Sequence, residues 1–282
     1  MLQVRVERRF AGRIEAGAPQ PERSLTPQEL LDNLSFFTVE RRGPRTSPCT
    51  SLVLSGQRVV DRPDLRPAIE AARGWGVERV TLHLGEGDIE GFDVTQWRDS
   101  VDTLVVPVVG EGAGFKGSEA IMQQACDAGL RVVSNLQLDA LALEQMESVL
   151  DVLCRVRPQS AVFTHPFPRG AADARALAPL DSVIAGLKSA KAGLKSAGIS
   201  WVVKGLPVCW LGGLEVQAGR SANRWYVDAA HQREEALLFF PDVVQMTKAE
   251  PCRFCSMNSE CDGFFDEWLA RGGYPSLSPS ED

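Results

Sequence analysis

Cysteine is the residue type whose spacing in this sequence points most directly to chemistry. Three of the seven cysteines, Cys252, Cys255 and Cys261, fall within ten residues. Cys252-Arg253-Phe254-Cys255 is a pair separated by two residues, a gap that lets both sulfurs converge on one metal or on one edge of an iron–sulfur cluster. Cys209, in Gly205-Leu206-Pro207-Val208-Cys209, is the natural fourth thiolate. Four thiolates ligate either a 4Fe–4S cluster or one tetrahedral zinc, and thiolates alone do not choose between them. The ordinary alternative is a set of buried structural thiols, and so tight a grouping weighs against it. Cys126 and Cys154 lie on the apolar sides of predicted helices and read as core residues.

Other groups invite weaker readings. Leu84-Gly85-Glu86-Gly87-Asp88 places a carboxylate at the C-terminal end of a predicted strand, where parallel α/β folds bind ligands. A turn or helix cap is the bland reading of the same residues. His165, in Thr164-His165-Pro166, ends another strand and is expected to face the same mouth as Glu86. It is the histidine to test as an acid–base or ligand residue, against the plainer role of a hydrogen-bonded strand end. His83 lies inside a strand, and His231 opens a polar helix where it should be solvated. Asn135 and Lys204 also sit at strand ends, so they too are candidates for the mouth. The glycine-rich stretch from Gly110 to Ser118 misses the Gly-x4-Gly-Lys-Ser spacing, because Lys116 is followed by Gly117. It reads as an ordinary βα loop. Arg41, Arg42 and Arg45 form a cationic loop able to hold a phosphate or carboxylate.

These residues need elements to hold them. Near-continuous apolar runs predict strands at residues 34–41, 78–84, 102–108, 131–136, 160–166 and 199–206. Helical patterns fill the gaps: Leu65, Ile69 and Ala72; Ile121, Ala125 and Ala128; Ala142, Met146, Val149, Leu150 and Leu153; and Val183, Ile184, Leu187 and Leu194. Val4, Val6 and Phe10 predict a short extra strand at the edge of the main fold. Six strands alternating with helices imply an α/β chain with a parallel sheet, short of a full eight-fold barrel; an open three-quarter barrel and a doubly wound sheet both fit. The expected organisation is an N-terminal strand and linker over 1–33, a partial (βα)6 barrel over 34–206, and a cysteine-rich extension over 207–282. Trp201, Trp210, Trp225 and Trp268 are expected in the core or over the cysteine site.

Composition narrows the partners. The 282 residues carry 30 Lys and Arg against 37 Asp and Glu, a formal net charge of −7. A chain this acidic lacks the basic footprint of a general nucleic-acid binder. No apolar run is long enough to span a membrane. The odd number of cysteines and the start Met1-Leu2-Gln3-Val4-Arg5, without an apolar signal-peptide core, predict a cytoplasmic protein without a disulfide framework.

Taken together, Cys252-x2-Cys255-x5-Cys261-Asp262-Gly263, the following Gly272-Gly273-Tyr274, and Leu206-Pro207-Val208-Cys209 upstream resemble the C-terminal auxiliary-cluster segment (SPASM or twitch type) of radical S-adenosylmethionine (SAM) enzymes. The partial barrel matches the fold of that family. The resemblance implies a 4Fe–4S cluster on Cys209, Cys252, Cys255 and Cys261, with zinc as the alternative. It implies that Gly85 and Glu86, in the place of the family's Gly-Gly-Glu-Pro motif, meet the amino group of SAM. It also locates a departure. The loop after the first strand should carry C-x3-C-x2-C, three thiolates on the cluster that cleaves SAM. Here the three positions hold Arg42, Thr46 and Cys49, and no cysteine precedes Cys49. Arginine cannot stand in for a thiolate.

The reading is a radical-SAM-like protein whose primary cluster site is lost and whose C-terminal cysteines hold metal. The resemblance implies work in the maturation or modification of a peptide, protein or small molecule, beside an intact radical SAM partner. The rival is a non-catalytic, zinc-stapled module that recognises a peptide or metabolite.

Overall fold

A capping signal opens the first helix. Thr26 accepts a hydrogen bond from the Glu29 amide, Glu29 accepts one from the Thr26 amide, and Pro27 occupies the first turn. The Arg23 guanidinium, paired with Glu29, holds that carboxyl far below the ordinary range. The computed structural model describes residues 1–6, 23–40, 48–56, 58–108, 113–166, 177–211, 214, 225–237, 246–259, 261–272 and 274–277.

The strands are β1 (Leu2–Arg5), β2 (Ser51–Ser55), β3 (Arg79–His83), β4 (Thr103–Pro107), β5 (Arg131–Gln137), β6 (Ser160–Thr164), β7 (Ser200–Lys204), β8 (Trp225–Val227), β9 (Met246–Thr247) and β10 (Phe264–Phe265). The helices are α1 (Pro27–Ser35), α2 (Leu65–Gly74), α3 (Ala113–Asp127), α4 (Ala140–Glu144), α5 (Met146–Val156), α6 (Leu180–Ala197) and α7 (Asp266–Arg271). Eight of the strands form a mostly parallel sheet in nearly sequential order, and β9 and β10 form a separate two-stranded ribbon. The α/β class and the strand–helix rhythm agree with the sequence; the described residues place eight strands in the sheet, against the six and one edge strand expected.

The chain divides into two units. The first comprises Met1–Phe10, Gly17–Val133 and Asn223–Phe240. Its strands run β8, β1, β2, β3, β4, all parallel, with Leu2 opposite Leu52, Leu52 opposite Val80, and Leu82 opposite Leu104. Leu2, Val4, Leu54, Val80, Leu82 and Leu104 are all buried. Each contributes roughly 1.5–3 kcal/mol by leaving water. The second unit comprises Ala11–Ala16, Ser134–Ala222 and Pro241–Asp282. Here β6 pairs in parallel with β7, Val162 opposite Val202, and α5 packs on α6. Val183, Leu187, Ala190 and Leu194 form the buried stripe of α6, so the leucines of its two similar seven-residue stretches do share a face.

Three expectations fail in the first unit. Residues 34–40 of the strand expected at 34–41 are not a strand: they close α1 and continue as a π turn over Phe36–Glu40. Leu30, Leu34 and Phe37 recur at helical spacing and are all buried, and the capped helix start upstream settles a run that reads either way. The strand lies instead at Ser51–Ser55, short and unmarked by alternation. Finally, β1 is not an edge addition, since it pairs with β2 on one side and β8 on the other. As a consequence, Leu84-Gly85-Glu86 follows the third strand in chain order. The Arg41, Arg42 and Arg45 loop precedes β2, and its residues lie outside the described ones. Much of the glycine-rich stretch is the start of α3. No helix among the described residues is long and apolar enough to cross a membrane.

Candidate metal centre

In the second unit, β7 ends at Lys204 and the chain turns at Gly205, where φ is +79°. A Cβ there would come within 3.2 Å of the His165 carbonyl oxygen, so the close approach needs glycine. Pro207 then leads into a 3-10 turn over Val208–Trp210 that carries Cys209.

The other three cysteines sit in a loop stapled at its base by β9 and β10, with Thr247 opposite Phe264. Two 3-10 turns, Glu250–Phe254 and Ser256–Ser259, fold the loop. The Cys252 amide donates to the Ala249 carbonyl (2.9 Å), the Cys255 amide to the Cys252 carbonyl (3.1 Å), and the Cys261 amide to the Met257 carbonyl (2.9 Å). The Lys248 ammonium donates to the carbonyl and the side-chain Oδ1 of Asn258, at 2.7 and 2.8 Å. The Gly263 amide donates to Cys261 Sγ at 3.4 Å.

These elements wall one cavity of about 330 Å³, counting its opening to solvent. Cys209, Cys252, Cys255 and Cys261 all line it, together with Lys248 and Met257, and the exposed wall is almost wholly apolar. The four cysteines singled out by spacing therefore meet, although Cys209 is more than forty residues from Cys252 in the chain. Among the described residues, no three His, Cys, Asp or Glu side chains close tightly enough to grip a single ion. Four thiols on one cavity wall are a donor set that either a cluster or a zinc ion would use.

An aromatic plug backs the cavity. Trp210, next to Cys209, stacks on Tyr274 with ring centroids 5.6 Å apart, and meets Phe264 edge-on at 4.6 Å. Trp268 is fully buried and donates its indole N–H to the Pro166 carbonyl at 3.0 Å. Trp210 and Trp268 thus cover this region, whereas Trp201 packs on Phe163, and Trp225 packs on Phe37 in the first unit.

His165 belongs to this plug and not to an open mouth. It is 1% exposed. Its Nδ1 lies 3.1 Å from the Pro166 carbonyl, which can only accept, so Nδ1 carries the proton. Its Nε2 then accepts from the Tyr274 hydroxyl, 3.2 Å away. Burial lowers the His165 pKa to about 4 and raises that of Tyr274 to about 12. With both nitrogens engaged, His165 is a neutral structural histidine. His231 also departs from expectation: the helix it precedes is only a 3-10 turn over Arg233–Glu235, and it is half-buried, with Nδ1 2.9 Å from the buried carboxylate of Asp228. Cys126 and Cys154 are half-buried, less enclosed than core residues.

In the first unit, Glu86 opens a 3-10 turn beyond β3. The turn is built by its neighbour. Asp88 is 1% exposed and accepts from the amides of Gly85 (2.7 Å), Val59 (3.2 Å) and Val60 (3.1 Å). Glu86 itself is exposed and has no partner among the described residues. The bland reading holds for Asp88 and leaves the Glu86 carboxylate available to a ligand.

No family model matches the chain, and no curated protein matches it. Solved structures do. The crystal structure of Streptococcus suis SuiB bound to S-adenosylmethionine superposes with a TM-score of 0.61 at 10% identity, over 93% of this chain and 71% of that one. The chain shares the fold of SuiB. The structure of SuiB bound to its precursor peptide SuiA gives a TM-score of 0.62 at 9% identity, over 99% of this chain and 75% of that one. The likeness is one of backbone alone, since identity at this level preserves the fold and not the side chains. Spacing found the cysteines, but it did not find Lys248; the only signal for it was a cation one residue past a short apolar strand.

Proposed function

We propose that this chain is a radical-SAM-like protein that binds a 4Fe–4S cluster through Cys209, Cys252, Cys255 and Cys261, and that it acts in the modification or maturation of a peptide. The convergence of all four cysteines on one cavity carries this reading. The fold shared with SuiB, which is crystallised with a precursor peptide, supports a peptide as the substrate class. The site that would cleave SAM is lost in this reading. The chain has no cysteine before Cys49, so no loop following β1 or α1 can present three thiolates. Radical generation then falls to an intact partner enzyme.

When bound, the cluster supplies one-electron transfer. The residues of the chain do the rest. Cys209, Cys252, Cys255 and Cys261 would hold the cluster at the cavity wall through their thiolates. The Gly263 amide donates to the sulfur of Cys261 and disperses its charge. Trp210, Phe264 and Tyr274 exclude water from one side.

Iron, sulfide and zinc counted per chain after anaerobic purification test the reading. The wild type is expected to hold about four irons and four sulfides and to absorb near 400 nm, and Cys252→Ala to lose them. One zinc without iron would replace this reading with that of a zinc-stapled binding module. About eight irons would show that the SAM-cleaving site is intact.

SAM, where it binds, meets Glu86 and Gly85 in this reading. A carboxylate holding an ammonium group contributes about 1.5–3 kcal/mol. Glu86→Gln is therefore expected to weaken SAM binding roughly ten- to a hundred-fold in equilibrium dialysis. Unchanged binding would remove Glu86 from the site.

A further inference from the structure

Among the described residues, Lys248 is the one charged residue lining the cavity. It directly follows β9, and its ammonium is held in place by two hydrogen bonds to Asn258, at 2.7 and 2.8 Å. An ammonium carries three N–H donors, so one is left without a partner among the described residues. Arg253 pairs with Glu250 at 3.1 Å, and both are mostly exposed. A surface pair of this kind is screened by water and salt. Lys248 faces a nearly apolar wall, where a charge is felt more strongly because the dielectric is low.

From this placement we infer that Lys248 is a positioning and tuning residue that raises the reduction potential of the C-terminal cluster. The inference rests on the proposed cluster reading. A 4Fe–4S core held by four thiolates is already anionic, and each electron it takes up adds one negative charge. A fixed cation beside it therefore stabilises the reduced form more than the oxidised form. Net charge and hydrogen bonding at sulfur are the protein's main means of setting such potentials. The step is a single electron passed from an external low-potential reductant, such as dithionite, to the oxidised core; no bond breaks and no proton moves. Lys248 thus gives the site a second role beside that of the Gly263 amide: it makes the cluster easier to reduce.

The test is a dithionite titration of the anaerobically reconstituted protein, followed by electron paramagnetic resonance. Lys248→Met is expected to shift the midpoint to more negative potential with its iron retained, and Lys248→Arg to stay near the wild type. Asn258→Ala, which keeps the cation and cuts one arm of the strap, is expected to leave the midpoint close to the wild type. A Lys248→Met midpoint equal to the wild type at full iron content would overturn the inference. So would an Asn258→Ala shift as large as that of Lys248→Met, because the effect would then belong to the loop and not to the charge. If Lys248→Met loses its iron, Lys248→Gln takes its place in the comparison, and loss from both makes Lys248 a folding residue only. A wild type without iron and sulfide would instead overturn the cluster reading itself.

Discussion

Gly263→Ala is expected to strip the cysteine cavity of the cluster proposed for it. Gly263 has φ +91°, in the region that side chains rarely adopt. A Cβ there would stand 2.0 Å from the carbonyl oxygen of Thr247 and 2.8 Å from its carbon. Those atoms are backbone, and they belong to the strand that pairs with β10 one residue away. No rotamer change relieves the clash, so the ribbon at the base of the loop must open or the peptide must turn over. Either movement also removes the hydrogen bond from the Gly263 amide to Cys261 Sγ. The backbone penalty alone is of order 1–3 kcal/mol, and the clash adds to it. Gly272 is the control. Its φ is +76°, but nothing lies within 4 Å of an added Cβ. Gly272→Ala is expected to cost only the backbone penalty and to keep its iron. Iron per chain and thermal unfolding of the two variants decide the matter. Full iron in Gly263→Ala would mean that the ribbon does not hold the loop.

The second large effect is one of pH. The folded pKa of His165 is lowered from 6.5 to about 4, chiefly by burial. Unfolded, the imidazole takes up a proton near pH 6.5; folded, it resists until about pH 4. Acid therefore favours the unfolded chain within that window. The stabilisation is fully present above pH 6.5 and is lost as the pH falls towards 4, a change of about 3 kcal/mol. Urea unfolding between pH 7 and pH 4 measures it. His165→Gln, which keeps a donor and an acceptor but does not titrate, is expected to remove that share of the slope. A slope unchanged by the substitution would show that carboxylates alone govern it. Tyr274→Phe leaves Nε2 of His165 buried and unpaired, at a cost of about 1–3 kcal/mol at neutral pH. Tyr274 stays protonated across this window, since burial raises its own pKa to about 12.

Much of the fold was legible because it is local. The runs at 78–84, 102–108, 131–136, 160–166 and 199–206 are apolar and bounded by turn residues, and each is a strand. Leu65, Ile69 and Ala72 mark the buried stripe of α2, and Val183, Leu187 and Leu194 that of α6. The errors came where local signals compete. Leu34-Ser35-Phe36-Phe37 suits a strand or a helix, and the cap at Thr26 decides for the helix. Trp225–Val227 is too short to announce itself and becomes a strand because β1 supplies the pairing, while Leu2–Arg5 reads as a strand but its place between β2 and β8 is set only by the sheet.

The cysteine site divides in the same way. Residue type and spacing selected Cys209, Cys252, Cys255 and Cys261, because thiolates two and five residues apart have few other uses. For His165 the sequence leaves open an acid–base residue and a hydrogen-bonded strand end, and packing beneath Tyr274 and Phe264 decides for the second. Lys248 looked like any surface lysine until Asn258 and the cysteine cavity were seen around it. The sequence determined which atoms can bind a metal, since that is a property of each side chain. The tertiary structure decided whether a group is buried, paired or charged, because those depend on neighbours that the chain brings together only by folding.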